Sequence, residues 1–444
     1  MGLYYPLVTS HSCLYTIGMK TITPRTLKGF RDFLPSDMRI RSFVIDTFKR
    51  MFEKYGYEPL ETPTLEYADI LMGKYGDEAE KLLYHFTDRG GREVAMKYDL
   101  TVPACRVLAQ YQNDIPLPFK RYQIQPVWRA DNTQKGRFRE FYQCDGDTFG
   151  SSSMLSDAEY IQMGLESLQT LGFSDVVARI NNRKFIDGLA TYAGADQQQF
   201  SIICTAIDKL DKIGLAGVQA EMKNKGVSES AVQKITEVIS ITGSTQEKIC
   251  TLKSLMRDIP QALLGIAELE ELFSYLALAG VNKSLYVFDL TIIRGLSYYT
   301  GPVWEFVIVD GGVGSVGGGG RYDKLVGLYL GHDVPASGGS FGIERIIEVI
   351  KDRSMIKKDT NNQVLVTIFE PGLISTSIAV AQKLRAEGKS VILYPDSDTK
   401  LEKQLKYANK KGIDEVYIVG PEEVEKKQVK IKNMKTGEQT TVNQ

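Results

Sequence analysis

The chain has 444 residues, room for two or three domains with sizeable cores, and an ordinary soluble composition of 43% hydrophobic and 25% charged residues. Its 54 basic residues balance 55 acidic ones, so overall charge would not draw in nucleic acid and any such partner must meet a local basic surface. No apolar run approaches the roughly 18 residues of a membrane span, and five scattered cysteines with three histidines argue against a disulfide framework or a clustered zinc site, which fits a reducing cytoplasm.

Residues 1–22 lack a basic start followed by a long apolar core and are expected to be an extension, not a secretory signal. Gly29 to Pro35 is a turn-rich entry. Ser36 is the expected N-cap of a helix over Met38–Tyr55, where Ile40, Phe43, Val44, Phe48, Met51 and Phe52 recur at helical spacing. Gly56 breaks that helix and an extended segment containing Pro63 follows. Strands are expected at Tyr84–Thr87 and Glu93–Tyr98, then a helix over Val102–Tyr111. Residues from Tyr122 to Trp128 and from Phe138 to Tyr142 read as a hairpin across the polar turn from Asp131 to Gly136. A helix over Asp157–Leu171 and a strand over Val176–Asn181 come next.

From Arg183 to Gly280 the pattern is helical with polar turns, an insertion that interrupts the strands. Strand-like character returns over Tyr286–Ile293. Gly317–Gly320 would let backbone approach a ligand closely, and Gly338–Ile350 passes from a glycine-rich strand into a helix with Arg345 at its start. Beyond a polar linker at 359–362, strands at Val364–Phe369, Val391–Tyr394 and Val416–Val419 alternate with helices at Ile374–Ala386 and Lys400–Lys411, and a final hairpin pairs Gln428–Ile431 with Glu438–Val442. That alternation predicts a small α/β domain with a largely parallel sheet.

Chemistry concentrates in two stretches. In the hairpin, alternation lets Arg129, Gln143 and Asp147 share a sheet face, and sets Arg137 and Arg139 opposite Phe138. The planar arginine fork suits phosphate and an aromatic between arginines suits a stacked base, although the same residues could lace a strand pair with surface ion pairs. In the second stretch Arg294 ends an apolar run beside Gly295, Tyr298 and Tyr299, a costly place for a charge without a partner. Asp99 and Thr101, two residues apart, can both reach an ammonium group. Asp99 is equally suited to be a helix N-cap.

Together QKGRFREFYQ, RGLSYYTG and GGGGRYD resemble the class II aminoacyl-tRNA synthetases, and among them the histidyl-tRNA synthetases, from about Thr23 to the end of the chain. The resemblance implies an α+β fold. It comprises an antiparallel-sheet catalytic domain over 23–182 and 281–357, a helical insertion over 183–280 that approaches the acceptor arm of tRNA, and an α/β anticodon-binding domain over 363–444. It also implies ATP with Mg2+, L-histidine and tRNA(His) as substrates, no protein-bound metal site, and a homodimer whose interface includes the first helix and the extended segment after it.

Residue by residue, the resemblance assigns Arg129 and Arg294 to the α-phosphate and carboxylate, Arg137 and Arg345 to the outer phosphates, and Phe138 to a place beneath adenine. Asp99, Leu100 and Thr101 would hold the α-amino group, Gln143 the main-chain atoms, and Asp147 with Tyr299, beside Tyr298, the two ring nitrogens. Ser297 departs from the family's usual Asp, while Asp99 and Asp147 stand where bacterial members often have Glu. The rival with the same fold is a noncatalytic paralogue, such as the regulatory subunit of ATP phosphoribosyltransferase, which typically lacks these arginines or the tail.

Overall fold

The computed structural model describes residues 22–72, 82–133, 138–293, 298–355 and 363–443. Expectations for residues 1–21, Gly136, Arg137, Arg294, Gly295, Ser297 and the linker fall outside the described residues. The chain divides into two compact units, ending and starting at residues 355 and 356.

The strands of the first unit are β1 Glu58–Pro59, β2 Leu65–Tyr67, β3 His85–Thr87, β4 Glu93–Met96, β5 Phe119–Trp128, β6 Glu140–Phe149, β7 Val176–Asn182, β8 Tyr286–Phe288, β9 Pro302–Ile308, β10 Ser315–Arg321 and β11 Ala336–Gly342. Eight of them form one sheet in the order β1-β5-β6-β11-β10-β9-β7-β8. Its central pairs are antiparallel, and the parallel pairs β1·β5 and β7·β8 close its ends. A small sheet of order β2-β4-β3 stands apart.

Alternation along the strands gives the large sheet two unlike faces. The row Tyr122, Gly146, Gly339, Gly319, Trp304 and Ile180 belongs to the core face. Helices Pro35–Lys54 and Met154–Thr170 cover it: Phe52 stacks on Tyr122 with ring centroids 5.3 Å apart, Phe48 lies 4.6 Å from Phe341, and Tyr160 lies 5.6 Å from Trp304. Phe52 fits because Gly146 has no side chain; a Cβ there would overlap its ring. Arg321 also belongs to this side. It pairs with buried Asp157 and donates to the carbonyls of Ser151 and Ser153, tying the sheet to the start of the second helix, so it is a strut and not part of a ligand loop.

Several expected elements shift for physical reasons. The first helix starts at Pro35, with Leu34 as N-cap, because proline's fixed φ suits the first helical position; Ser36 lies inside it. The strand expected over Tyr286–Ile293 stops at Phe288. Asp289 turns the chain by accepting from the backbone and hydroxyl of Thr291 and from Arg179. β6 begins at Glu140, so Phe138 and Arg139 are not on a strand and alternation does not set their faces; Arg139 instead donates to the Asp131 carbonyl. Gly317–Gly320 is a strand in the middle of the sheet.

Helices from Arg183 to Leu278 intervene between β7 and β8, which nevertheless lie side by side. The insertion therefore leaves the sheet and returns to the neighbouring position. Helix Pro260–Leu278 fits closely against helix Arg183–Ala193 because Gly188 meets Ala262 and Gly265 meets the backbone of Phe185.

The second unit is a five-stranded sheet of β12 Gln363–Val366, β13 Ser390–Leu393, β14 Glu415–Ile418, β15 Gln428–Asn433 and β16 Gln439–Asn443, in the order β13-β12-β14-β15-β16. The first three are parallel and the last two extend the sheet as an antiparallel hairpin. Val364 and Val366 join the cluster that includes Val380 and Leu384 of helix Ile374–Ala386, while Leu365 joins that of Ala408 on helix Leu401–Lys411. Alternate residues thus feed helices on opposite faces.

Candidate active site

The other face of the eight-stranded sheet is polar and short of side chains. One row across it reads Arg121, Asp147, Gly338, Gly320 and Val303; the next reads Gln123, Asp145, Ser340, Gly318, Glu305 and Arg179. The glycines leave a trough between β6 and β9. Tyr299 lies over Gly320, where a Cβ would come within 2.7 Å of its ring. At the opposite edge of the trough Asp147 covers Gly338. Gly338 and Gly320 are partners in register, so the Asp147 carboxylate and the Tyr299 ring lie over adjacent strands.

Asp147 is buried and already partnered: Tyr322 donates to one oxygen and Arg121 pairs with the other. Tyr322 meets Tyr298 edge-on at 5.8 Å, and the Tyr298 hydroxyl lies 3.4 Å from that of Tyr299. Asp147 and Tyr299, 152 positions apart in numbering by simple subtraction, are therefore linked through two intervening tyrosines. Asp99, one residue before the N-cap Leu100, accepts from the Val102 N–H at 3.0 Å, and the Leu100 carbonyl receives Arg121. Thr101 opens that helix, Thr101–Gln110.

Beside the trough is a cavity of about 560 Å³ lined by Arg129, Phe138, Gln143, Arg345 and Glu305, among others, within the usual size of a small-molecule site. Arg129 is oriented by its Nε–H to the Tyr98 carbonyl at 3.0 Å and lies over the Phe141 ring. Arg345 donates to the Ser315 carbonyl at 2.6 Å. Arg31 stacks on Phe138, 3.2 Å from the ring centroid, so one face of that ring is occupied. Gln143 donates to Ser340 Oγ at 3.3 Å, and its Oε1 has no hydrogen-bond partner among the described residues.

The structure thus gathers Arg129, Phe138, Gln143 and Arg345 in one cavity and sets Asp147 and Tyr299 on the adjoining trough. Tyr298 and Tyr299 also line a second cavity, of about 660 Å³, with Arg183, Asp187 and Asp323. The fit of magnesium can be judged from the acids present. Among the described residues no three carboxylate, histidine or cysteine groups converge as a metal cage, yet Glu305, Asp131 and Glu344 line the nucleotide-sized cavity. That suits an ion held mainly by a ligand's phosphates and one or two carboxylates.

Sequence reasoning missed Arg121, Asp145, Tyr322, Ser340, Glu305 and Lys212, the last a residue of the insertion that reaches the first cavity. A signal for two of them was available. In β5, Arg121, Gln123 and Gln125 alternate with Tyr122, Ile124 and Pro126, and in β6, Gln143, Asp145 and Asp147 alternate with Cys144, Gly146 and Thr148. Asp145 is only 2% exposed, and burial pushes its carboxyl up to about 7; Arg121 and a Ser340 hydrogen bond pull it down while Asp147 and Asp99 push it further up.

The comparisons agree with this geometry. A family model described as histidyl-tRNA synthetase matches residues 29–346, and one described as anticodon binding domain matches 363–444. Curated proteins named histidine–tRNA ligase from Cytophaga hutchinsonii and Phocaeicola vulgatus are 39% and 40% identical, each over 94% of this chain and 97% of the relative. The crystal structure of histidyl-tRNA synthetase from Nostoc sp. superposes with a TM-score of 0.84 at 33% identity, covering 95% of this chain and 97% of that one. A Bacillus halodurans structure titled ATP phosphoribosyltransferase regulatory subunit/histidyl-tRNA synthetase shares the fold, with a TM-score of 0.74 at 23% identity over 87% of this chain and 97% of that one. With a class II catalytic sheet followed by an anticodon-binding domain, and with these relatives along nearly its whole length, the chain belongs to the histidyl-tRNA synthetases, the ATP-using ligases that join histidine to its tRNA.

Proposed function

We propose that this chain activates L-histidine with ATP on the open face of the eight-stranded sheet and passes the histidyl group to tRNA(His). The observation that carries the reading is the arginine-lined cavity, with Phe138 and Gln143 in it, on the same sheet face on which Asp147 and Tyr299 lie over adjacent glycines. In activation, a carboxylate oxygen attacks the α-phosphorus and pyrophosphate leaves, so two anions must be held together while charge builds on phosphorus. Arg129, pre-oriented by the Tyr98 carbonyl, is the described residue suited to that charge. Arg294 shares the role by family resemblance. Arg345, with Arg137 by the same resemblance, would take the outer phosphates. The ring face of Phe138 away from Arg31 would carry the adenine. Glu305 in the cavity would help hold a magnesium ion bound to the phosphates, whose chemistry would be to screen the polyphosphate charge.

For the amino acid, Tyr299 and Asp147 would read the two ring nitrogens, since a neutral imidazole offers one donor and one acceptor. Asp147, fixed by Arg121 and Tyr322, makes a rigid acceptor. Asp99, Thr101 and Gln143 would surround the α-amino group. Transfer then needs the terminal ribose hydroxyl of tRNA to attack the activated carbonyl, releasing AMP. The 363–444 unit would bind the anticodon arm and the 183–280 helices would approach the acceptor arm.

We also infer a homodimer acting in the cytoplasm. Exposed Leu65, Tyr67 and Phe86 on the small sheet, 44%, 55% and 45% accessible, form an apolar strip that a second copy would cover. Histidine-dependent exchange of pyrophosphate into ATP, run against all twenty amino acids and followed by charging of tRNA(His), tests the reading. Exchange with histidine alone is expected. Its absence in well-folded protein would instead favour a noncatalytic paralogue.

A further inference from the structure

One polar relay in the first unit runs from the small sheet to Asp147. Lys97 directly follows β4; its N–H donates to the Thr64 carbonyl and its own carbonyl accepts from the Trp128 N–H, each at 3.0 Å, which pins it between the small sheet and the end of β5. Lys97 is only 1% exposed. Its ammonium donates to the Thr62 carbonyl and to Gln125 Oε1, both at 2.8 Å. That same Oε1 accepts from Gln123 Nε2, which also donates to Thr62 Oγ1 at 2.8 Å. Gln123 Oε1 in turn accepts from Arg121 Nη1 at 3.3 Å, and Arg121 Nη2 is the nitrogen paired with Asp147.

The two cations of this relay only donate. A protonated lysine and an arginine give hydrogens and take none, whereas each glutamine amide between them can face either way. Lys97 therefore requires the oxygen of Gln125, which leaves the amide nitrogen for Glu61, reached at 2.8 Å. To that inward oxygen Gln123 must offer its nitrogen, and its own oxygen is left for Arg121. One buried cation thus sets the direction of two amides and delivers an acceptor to a fully buried guanidinium. Without it both amides could turn over. Gln123 would then set N–H against the N–H of Arg121, a donor facing a donor, which a low-dielectric interior penalises, and Arg121 would tilt away from Asp147. Burial pushes the Lys97 ammonium down to about 8, against the upward pull of Glu61 and Glu66, so it keeps its charge at neutral pH.

We propose that Lys97 is a positioning residue for histidine selection: through Gln125 and Gln123 it aims Arg121 at Asp147, and so holds steady the carboxylate that reads the imidazole. This rests on the histidine-activating reading above. Lys97 acts at a distance, since it lines neither of the two cavities. Its influence reaches the amino acid and not the nucleotide, because the relay ends on Arg121 and Asp147, whereas Arg129 and Arg345 are oriented by the carbonyls of Tyr98 and Ser315.

The test is steady-state pyrophosphate exchange by the full-length protein, with the KM for histidine and the KM for ATP measured separately. Lys97→Met, which keeps much of the side chain's length and removes its donors, should raise the KM for histidine about tenfold, the worth of one well-placed hydrogen bond, and leave that for ATP within about twofold. Lys97→Arg, still a pure donor, should recover most of the loss. Gln123→Met should reproduce it, and the variant carrying both Lys97→Met and Gln123→Met should be no worse than the poorer single one, since both break the same relay. Equal rises in the two KM values would overturn the assignment, because a general disturbance here would reach Arg129 through the Tyr98 carbonyl as readily as Asp147. Losses that multiply in the double variant, or no recovery with arginine, would overturn it too. Should Lys97→Met fail to fold, Gln123→Met decides: a rise in the histidine KM alone sustains the relay, and a rise in both values or in neither overturns it. Failure of the underlying reading looks different: wild-type protein would then show no histidine-dependent pyrophosphate exchange.

Discussion

The two faces of the eight-stranded sheet are made by the same strands, yet they obey opposite rules. On the core face, Tyr122, Trp304 and Phe341 fill space against two helices, and glycines occur where a neighbouring ring presses in, as Phe52 does at Gly146. On the open face, Gly338 and Gly320 make room for the Asp147 carboxylate and the Tyr299 ring, and the residues around them are acids, arginines, amides and tyrosines that bond to one another. Stability resides on the first face. On the second, polar groups are held ready for ligands at a cost in stability.

Substitutions on each face should separate the two. Trp304→Ala, which empties the centre of the core face, is expected to lower unfolding stability by about 3–5 kcal/mol in a denaturant titration; a loss under 1 kcal/mol would mean the core lies elsewhere. On the open face Arg129→Ala should slow histidine-dependent pyrophosphate exchange by more than about 10²-fold, roughly 3 kcal/mol of transition-state stabilisation, with little change in the melting midpoint. Arg294→Ala is expected to behave alike, and an unchanged rate would remove it from the mechanism. A smaller effect is expected of Tyr299→Phe, about tenfold in the KM for histidine and less in that for ATP. Equal effects on both substrates would detach Tyr299 from the ring.

The subtlest contrast is in pH. The carboxyl of Asp145 is raised in the folded protein to about 7 from an ordinary 3.8. Between those values the folded state binds more protons than the unfolded one, so stability falls as pH rises through that window. Asp145→Asn should flatten the fall, which is expected to be on the order of 1 kcal/mol per pH unit, the slope for one extra proton held by the folded state. An unaltered pH profile would show that this face holds no such strain.

Much of this was written in local patterns. The first helix announced itself through Phe48 and Phe52 at helical spacing, the C-terminal unit through strands that alternate with helices, and Arg129, Phe138 and Arg345 through residue types suited to a nucleotide; these three line one cavity, together with Gln143, which was expected at the amino acid's main-chain atoms. What stayed hidden involved partners distant along the chain. Asp147 looked like a free acceptor, but Tyr322, 175 residues away, and Arg121 hold it. Arg321 follows the glycine run that was expected to let backbone approach a ligand, and instead braces Asp157 on the other side of the sheet. Lys212 resembled any surface lysine of the insertion until the helices carried it to the cavity.

By itself the sequence determined which residues lie on which side of each strand, because side chains alternate with a period of two whatever the neighbours are, and it determined the family through motifs that keep their order. Only the tertiary structure decided which strands lie next to one another, and so which charges must share a small, water-poor volume. Coulomb interactions and hydrogen bonds act over a few ångströms of space and take no account of separation along the chain. That is why Asp145, one acid among 55 acidic residues in the linear chain, becomes distinctive only once Arg121, Ser340, Asp147 and Asp99 are folded around it.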